Sequence, residues 1–164
     1  MVSIPGNGKL IIDIAQTVLT NTNSWNTANA WTDLTGFTVS ITPKSSTNKI
    51  MITSSMNLST ATGYMALIRL VRGSTPICVG DTAGSRTMGT CRIKGDPDAN
   101  HAYNGTSFCY IDSPATTSTV TYKLQFFLEG STMYLNRAPN FADNTLAYNG
   151  GVTSSFTVQE ITGY

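Results

Sequence analysis

Charged side chains are scarce in this 164-residue sequence, at 12% of the total, about half the ~25% of an average globular chain. Ten basic residues against nine acidic ones leave a net charge of +1 and an isoelectric point of about 7.7. Nucleic-acid binders show a basic face and a high isoelectric point. Here Arg69, Arg72, Arg86, Arg92 and Arg137 are scattered and form no stripe, so no nucleic-acid partner is expected. Weak net charge also gives little colloidal repulsion, which suits a subunit of an assembly better than a free protein at high concentration.

Histidine and cysteine are nearly missing as well. His101 is the single histidine, so a nucleophilic triad would have to be built on one residue of a polar loop. No serine sits in a Gly-x-Ser-x-Gly elbow. Cys78, Cys91 and Cys109 have no CxxC spacing, and a zinc site needs about four ligands with close pairs. The expectation is three small, reduced, mostly buried residues in strands, with one exposed disulfide as the alternative. Asp96, Asp98 and Asn100 begin like a calcium loop. However, His101 stands where glycine is needed and Ser107 where a bidentate glutamate is needed. The chain is expected to be no enzyme and to carry no metal and no cofactor.

Long apolar runs are lacking too. Nothing approaches the ~18 apolar residues of a membrane helix, and residues 1–9 hold no secretory apolar core. No membrane insertion, and folding in a host cytoplasm, are expected.

What the sequence does have is alternation. Ile50, Ile52, Met56 and Leu58 fall opposite Met51, Thr53, Ser55 and Asn57, and Val120, Tyr122, Leu124, Phe126 and Leu128 fall opposite Thr121, Lys123 and Gln125. Successive strand side chains point to opposite faces, so period two marks half-buried sheet. The same reading predicts a strand over 10–18, with Leu10, Ile12, Ile14 and Val18 on one face. Another covers 31–41, with Phe37, Val39 and Ile41 inward, and further strands cover 49–58, 75–79, 87–93, 106–111 and 154–162. Residues 119–128 and 132–135 flank Glu129-Gly130-Ser131 as a hairpin. Segments 19–30, 95–105 and 138–151 read as loops, and Trp25 in the first of them must find cover. Residues 64–72 are apolar on both faces, with Leu67 and Val71 on one and Ala66, Ile68 and Leu70 on the other. Such a strand is covered on both sides, by the fold or by a neighbouring subunit. About ten strands with turn signals every 8–12 residues make an all-β sandwich or barrel. Length argues for one domain over 10–164, preceded by an extended arm at 1–9. Glu160 alternates with Phe156 and Val158 and should share their inward face, where it needs partners such as Arg69, Arg137 or backbone N–H groups.

Several segments in order carry a resemblance: 10–18 (LIIDIAQTV), 31–43 (WTDLTGFTVSITP), 49–53 (KIMIT), 67–86 (LIRLVRGSTPICVGDTAGSR), 110–123 (YIDSPATTSTVTYK), 133–137 (MYLNR) and 155–163 (SFTVQEITG). Together they resemble a family of small virion structural proteins of tailed bacteriophages, especially phages of aquatic bacteria. The resemblance implies an antiparallel jelly-roll-like β-sandwich working as a homotrimer on the virion surface, with neither catalysis nor cofactor. Larger members place this domain at the tip of a fibre. Here only residues 1–9 precede the first strand, so the expected role is a capsid decoration (cement) protein bound across major capsid subunits. Its arm candidates are Val2, Ile4 and Pro5, and its subunit-interface candidates are Leu67, Arg69, Val71, Arg137, Glu160 and Ile161. The alternative is a tail- or head-fibre tip that recognises a host-surface glycan through the three loops.

Overall fold

Alternation at period two becomes strands wherever one face can be buried. The computed structural model describes residues 10–61, 63–94 and 104–162. Its strands are β1 (Ile11–Leu19), β2 (Asn23–Trp25), β3 (Thr32–Ile41), β4 (Lys49–Thr60), β5 (Met65–Arg72), β6 (Thr75–Ile77), β7 (Cys91–Lys94), β8 (Asn104–Asp112), β9 (Val120–Leu128), β10 (Met133–Leu135) and β11 (Ser154–Ile161). One 3-10 turn at Ala147–Asn149 is the sole helical element among the described residues. The arm candidates Val2, Ile4 and Pro5, and the loop holding Asp96, Asp98, Asn100 and His101, lie outside the described residues.

All pairings are antiparallel, and they build two sheets. With the short β2, β6 and β10 set aside, the sheets run β1-β11-β4-β8 and β3-β9-β5-β7. That is the eight-strand, two-sheet order of a jelly roll, so the chain is an all-β, jelly-roll-like sandwich. The inward rows expected from alternation form its core. Phe37, Val39 and Ile41 of β3, Ile50, Ile52, Met56 and Leu58 of β4, and all five inward residues of β9 are buried. Trp25 finds cover by pairing through β2 with β10 and setting its ring 5.8 Å from that of Phe126.

The β1 row of Ile12, Ile14 and Val18 shares one face as expected, and that face is the outer one, while Ala15 and Leu19 pack on the core. Three local expectations need correction. Residues 133–135 make no hairpin with β9. They cross to the other sheet and pair with Leu58–Thr60 of β4 and with β2, because Met133 and Leu135 are both buried there. The strand expected over 87–93 is only four residues long, since Thr90 turns its N–H to the Ile68 carbonyl and its hydroxyl to the Leu70 N–H. Finally, the loop expected over 19–30 contains β2. Between Asp33 and Thr38 the β3–β9 register breaks. Gly36 occupies this break at φ +89°, where a Cβ would collide with the Leu19 side chain.

Two acids are buried at one end of the sandwich, on either side of Ile50 in the same row. Asp112 accepts hydrogen bonds from Arg72 Nη1 on both oxygens, each 2.9 Å, and from the Tyr122 hydroxyl at 2.7 Å. This cluster joins β8 of one sheet to β5 and β9 of the other. Burial, and then the Asp112 hydrogen bond, push the Tyr122 phenol well above its ordinary range. Glu160 lies inward as expected, fully buried. Its Oε1 accepts from the Lys44 backbone N–H at 2.7 Å and from Asn48 Nδ2 at 2.6 Å, and Oε2 has no hydrogen-bond partner among the described residues. Of the expected partners a backbone N–H meets one oxygen, joined there by the Asn48 amide, while Arg69 and Arg137 bond elsewhere.

Candidate functional site

The two outer faces of the sandwich differ in chemistry. On the β1-β11-β4-β8 sheet, register aligns Ile14, Gln159, Met51 and Ile111 in one row across all four strands. The next rows are Gln16, Thr157, Thr53 and Cys109, then Val18, Ser155, Ser55 and Ser107. Ile161 and Lys49 pair at the near end, where Leu10 and Ile12 also lie. Lys49 is the only charge among these outward strand positions, and its ammonium donates to the Ser113 hydroxyl at 2.8 Å. Ile14 is 55% exposed, Ile111 53% and Val18 55%. Single exposed aliphatics are ordinary, but a contiguous uncharged face with several of them marks a contact surface. β1 is also a sheet edge, nine residues long with one charge, Asp13. An edge of that kind, with no lysine or proline within the strand and no further strand paired to it among the described residues, invites pairing with another chain.

The β3-β9-β5-β7 sheet presents a polar and aromatic face instead. Arg92, Leu67 and Phe127 align across β7, β5 and β9, and the Trp31 ring lies 5.6 Å from that of Phe127. Arg69 stacks its guanidinium 4.0 Å above the Trp31 ring and donates to Gln125 Oε1 through Nε and Nη2 at 2.9 and 2.6 Å. Gln125 donates on to Asp33 at 2.7 Å, and Lys123 donates to the same carboxylate at 2.8 Å. The Lys123 hydrogen bond, followed by that of Gln125, holds the Asp33 carboxyl below its usual range.

The residues expected at a subunit interface are thus dispersed. Leu67 and Arg69 lie half-buried on the polar face, and Ile161 on the uncharged one. Arg137 stacks 4.4 Å over Tyr134, away from both Arg69 and Glu160. Val71 and Glu160 are enclosed within the subunit and present nothing to a partner. The second face of β5 is covered in part by the chain itself. Gly89 packs against Leu67, and a Cβ there would come within 3.2 Å of the Leu67 Cβ. Sequence reasoning overlooked Ile14 and Ile111. The available signal was that β1, like β5, carries apolar residues on both faces.

All three cysteines are free thiols; Cys78, just past the end of β6, and Cys91 are half-buried, not buried as expected, and Cys109 is exposed on β8. Burial first, with Cys78 adding to it, raises Cys91 from its ordinary 9.0 to about 11, and burial raises Cys78 as well. A thiol raised in the fold keeps its proton there after the unfolded chain has lost its own. Its contribution to stability is therefore complete below pH 9 and lost as pH rises from 9 towards 11. Brief iodoacetamide treatment of the folded protein at pH 8 should label Cys109 first and Cys91 last. Peptide mass mapping checks this, and equal rates at Cys91 and Cys109 would contradict it.

Among the described residues no three His, Cys, Asp or Glu side chains gather to hold a metal ion, and no helix is long and apolar enough to cross a membrane. No known family model and no curated protein matches the chain. Among solved structures it is similar to a chain of the structure of infectious bursal disease virus, Gx strain, with 11% identity and a TM-score of 0.38. The likeness covers 98% of this chain and 46% of that one, so the chain spans less than half the viral chain's length.

Proposed function

We propose that the chain is a virion structural protein: a homotrimeric capsid decoration protein of a tailed bacteriophage, with no enzymatic role. The carrying observation is the outer face of β1-β11-β4-β8, whose one charge is Lys49 and where Ile12, Ile14, Val18 and Ile111 are exposed beside a sheet edge. Burying such a face against sister copies removes apolar surface from water, and closed symmetry leaves no sticky face free. The trimer, the virion surface and the major capsid protein as partner come from the phage-protein resemblance. Capsid binding would then add its association free energy to the stability of the shell.

Copy number tests the role. Quantitative mass spectrometry of purified particles should find the chain in hundreds of copies, and a cryo-EM map should place it on the head. Tens of copies or fewer, located at the tail, would replace the cement reading with a fibre tip. Sedimentation of the purified protein at micromolar concentration should give a trimer, and a lone monomer would overturn the assembly reading.

A further inference from the structure

A groove of about 360 Å³ runs along the outer face of β5, lined by Leu67, Arg86, Thr87, Arg92, Phe127 and Glu129. Its volume falls in the range of small-molecule sites. The floor is held in place: Phe127 packs on Trp31, Arg69 caps Trp31, and Gln125 and Asp33 lock Arg69. The wall is held too. The segment bearing Arg86 and Thr87 is closed at its base by the Gly80 N–H to the Gly89 carbonyl at 3.1 Å, and is tied to β5 by the Thr90 N–H to the Ile68 carbonyl at 2.7 Å. Groups fixed in this way lose little freedom on binding.

The chemistry is selective. Neither Arg86 nor Arg92 has an ion-pair partner among the described residues, so two guanidiniums stand ready for a planar anion, which arginine binds through paired N–H donors. Phe127 and Leu67 offer an apolar floor. Glu129 and Thr87 supply acceptors for hydroxyl hydrogen bonds, which a polyol offers and a polyphosphate does not.

We propose that this groove binds an acidic glycan. The C–H face of a sugar ring lies on Phe127 and Leu67, Arg86 and Arg92 hold its carboxylate or sulfate, and Thr87 and Glu129 meet its hydroxyls. The site is separate from the uncharged face on the other sheet, and the two readings stand or fall independently.

Isothermal titration of the intact protein with an alginate hexasaccharide, a heparin hexasaccharide and neutral maltohexaose tests it. At least one acidic oligosaccharide should bind and maltohexaose should not; the first two separate carboxylate from sulfate recognition. Arg92→Ala and Arg86→Ala, both at exposed positions, should each weaken binding at least tenfold. Arg137→Ala, which removes the same charge outside the groove, should leave it unchanged. Phe127→Ala should weaken binding as well, and the two arginine variants keep the test valid if that variant fails to fold. Binding of neither acidic sugar, an equal loss in Arg137→Ala, or equally tight binding of inorganic polyphosphate would each overturn the proposal.

Discussion

Asp112→Ala should destabilise the protein by about 3 kcal/mol, lowering its melting temperature by roughly 6–12 °C for a domain of this size. Among the described residues the Asp112 carboxylate is the only acceptor bridging Arg72 and the buried Tyr122 hydroxyl. Removing it leaves the phenol without an acceptor in the core and a guanidinium without its counter-charge. Arg72 is one-third exposed and turns to water for part of its solvation, which keeps the loss at the lower end for broken buried pairs. Tyr122→Phe removes one hydrogen bond but leaves the ion pair, and should cost only about 1 kcal/mol. Urea unfolding of both variants checks the order. Equal losses would show that the ion pair contributes nothing beyond the phenol contact.

The second large effect concerns association. For the proposed trimer, Ile14→Lys combined with Ile111→Lys should give monomers while leaving the circular dichroism unchanged. Both side chains are more than half exposed in the subunit, so lysine there costs the fold little. Both stand in one row across the sheet with Gln159 and Met51 between them, so two ammonium groups about 14 Å apart, three strand spacings, would charge both ends of a row without acids. Burying them against a sister copy costs at least about 3 kcal/mol, a weakening of the dissociation constant of roughly 100-fold or more. Sedimentation equilibrium reads this directly. A double variant that associates as tightly as the parent would remove the β1-β11-β4-β8 face from any role in assembly.

The core was legible in the sequence because its strands alternate cleanly. Phe37, Val39 and Ile41, or Tyr122, Leu124 and Phe126, have polar residues between them, so only one orientation buries apolar surface. β1 was legible as a strand but its orientation was not, since Ile12 and Ile14 compete with Ala15 and Leu19. Its inward face follows from pairing with β11, a partner some 145 positions away in register, which no local pattern reveals. The same limit applies to β10, whose neighbours are β4 and β2 and not the adjacent β9. Glu160 was readable as buried from its parity with Phe156 and Val158. Its partners Lys44 and Asn48 lie in a turn more than a hundred positions away. The arginine groove was not legible at all, because its residues come from β5, β7, β9 and the segments beside them, brought together only by folding.

The placement of β11 between β1 and β4 also sets an order of events during synthesis. Until β11, the last of the eleven described strands, leaves the ribosome, β1 lacks its ladder partner, and Ile14 has no row with Met51 and Ile111. Contacts of such long sequence separation form slowly. A nascent or half-folded copy in which β11 is not yet paired therefore presents no continuous outer face across β1, β11, β4 and β8.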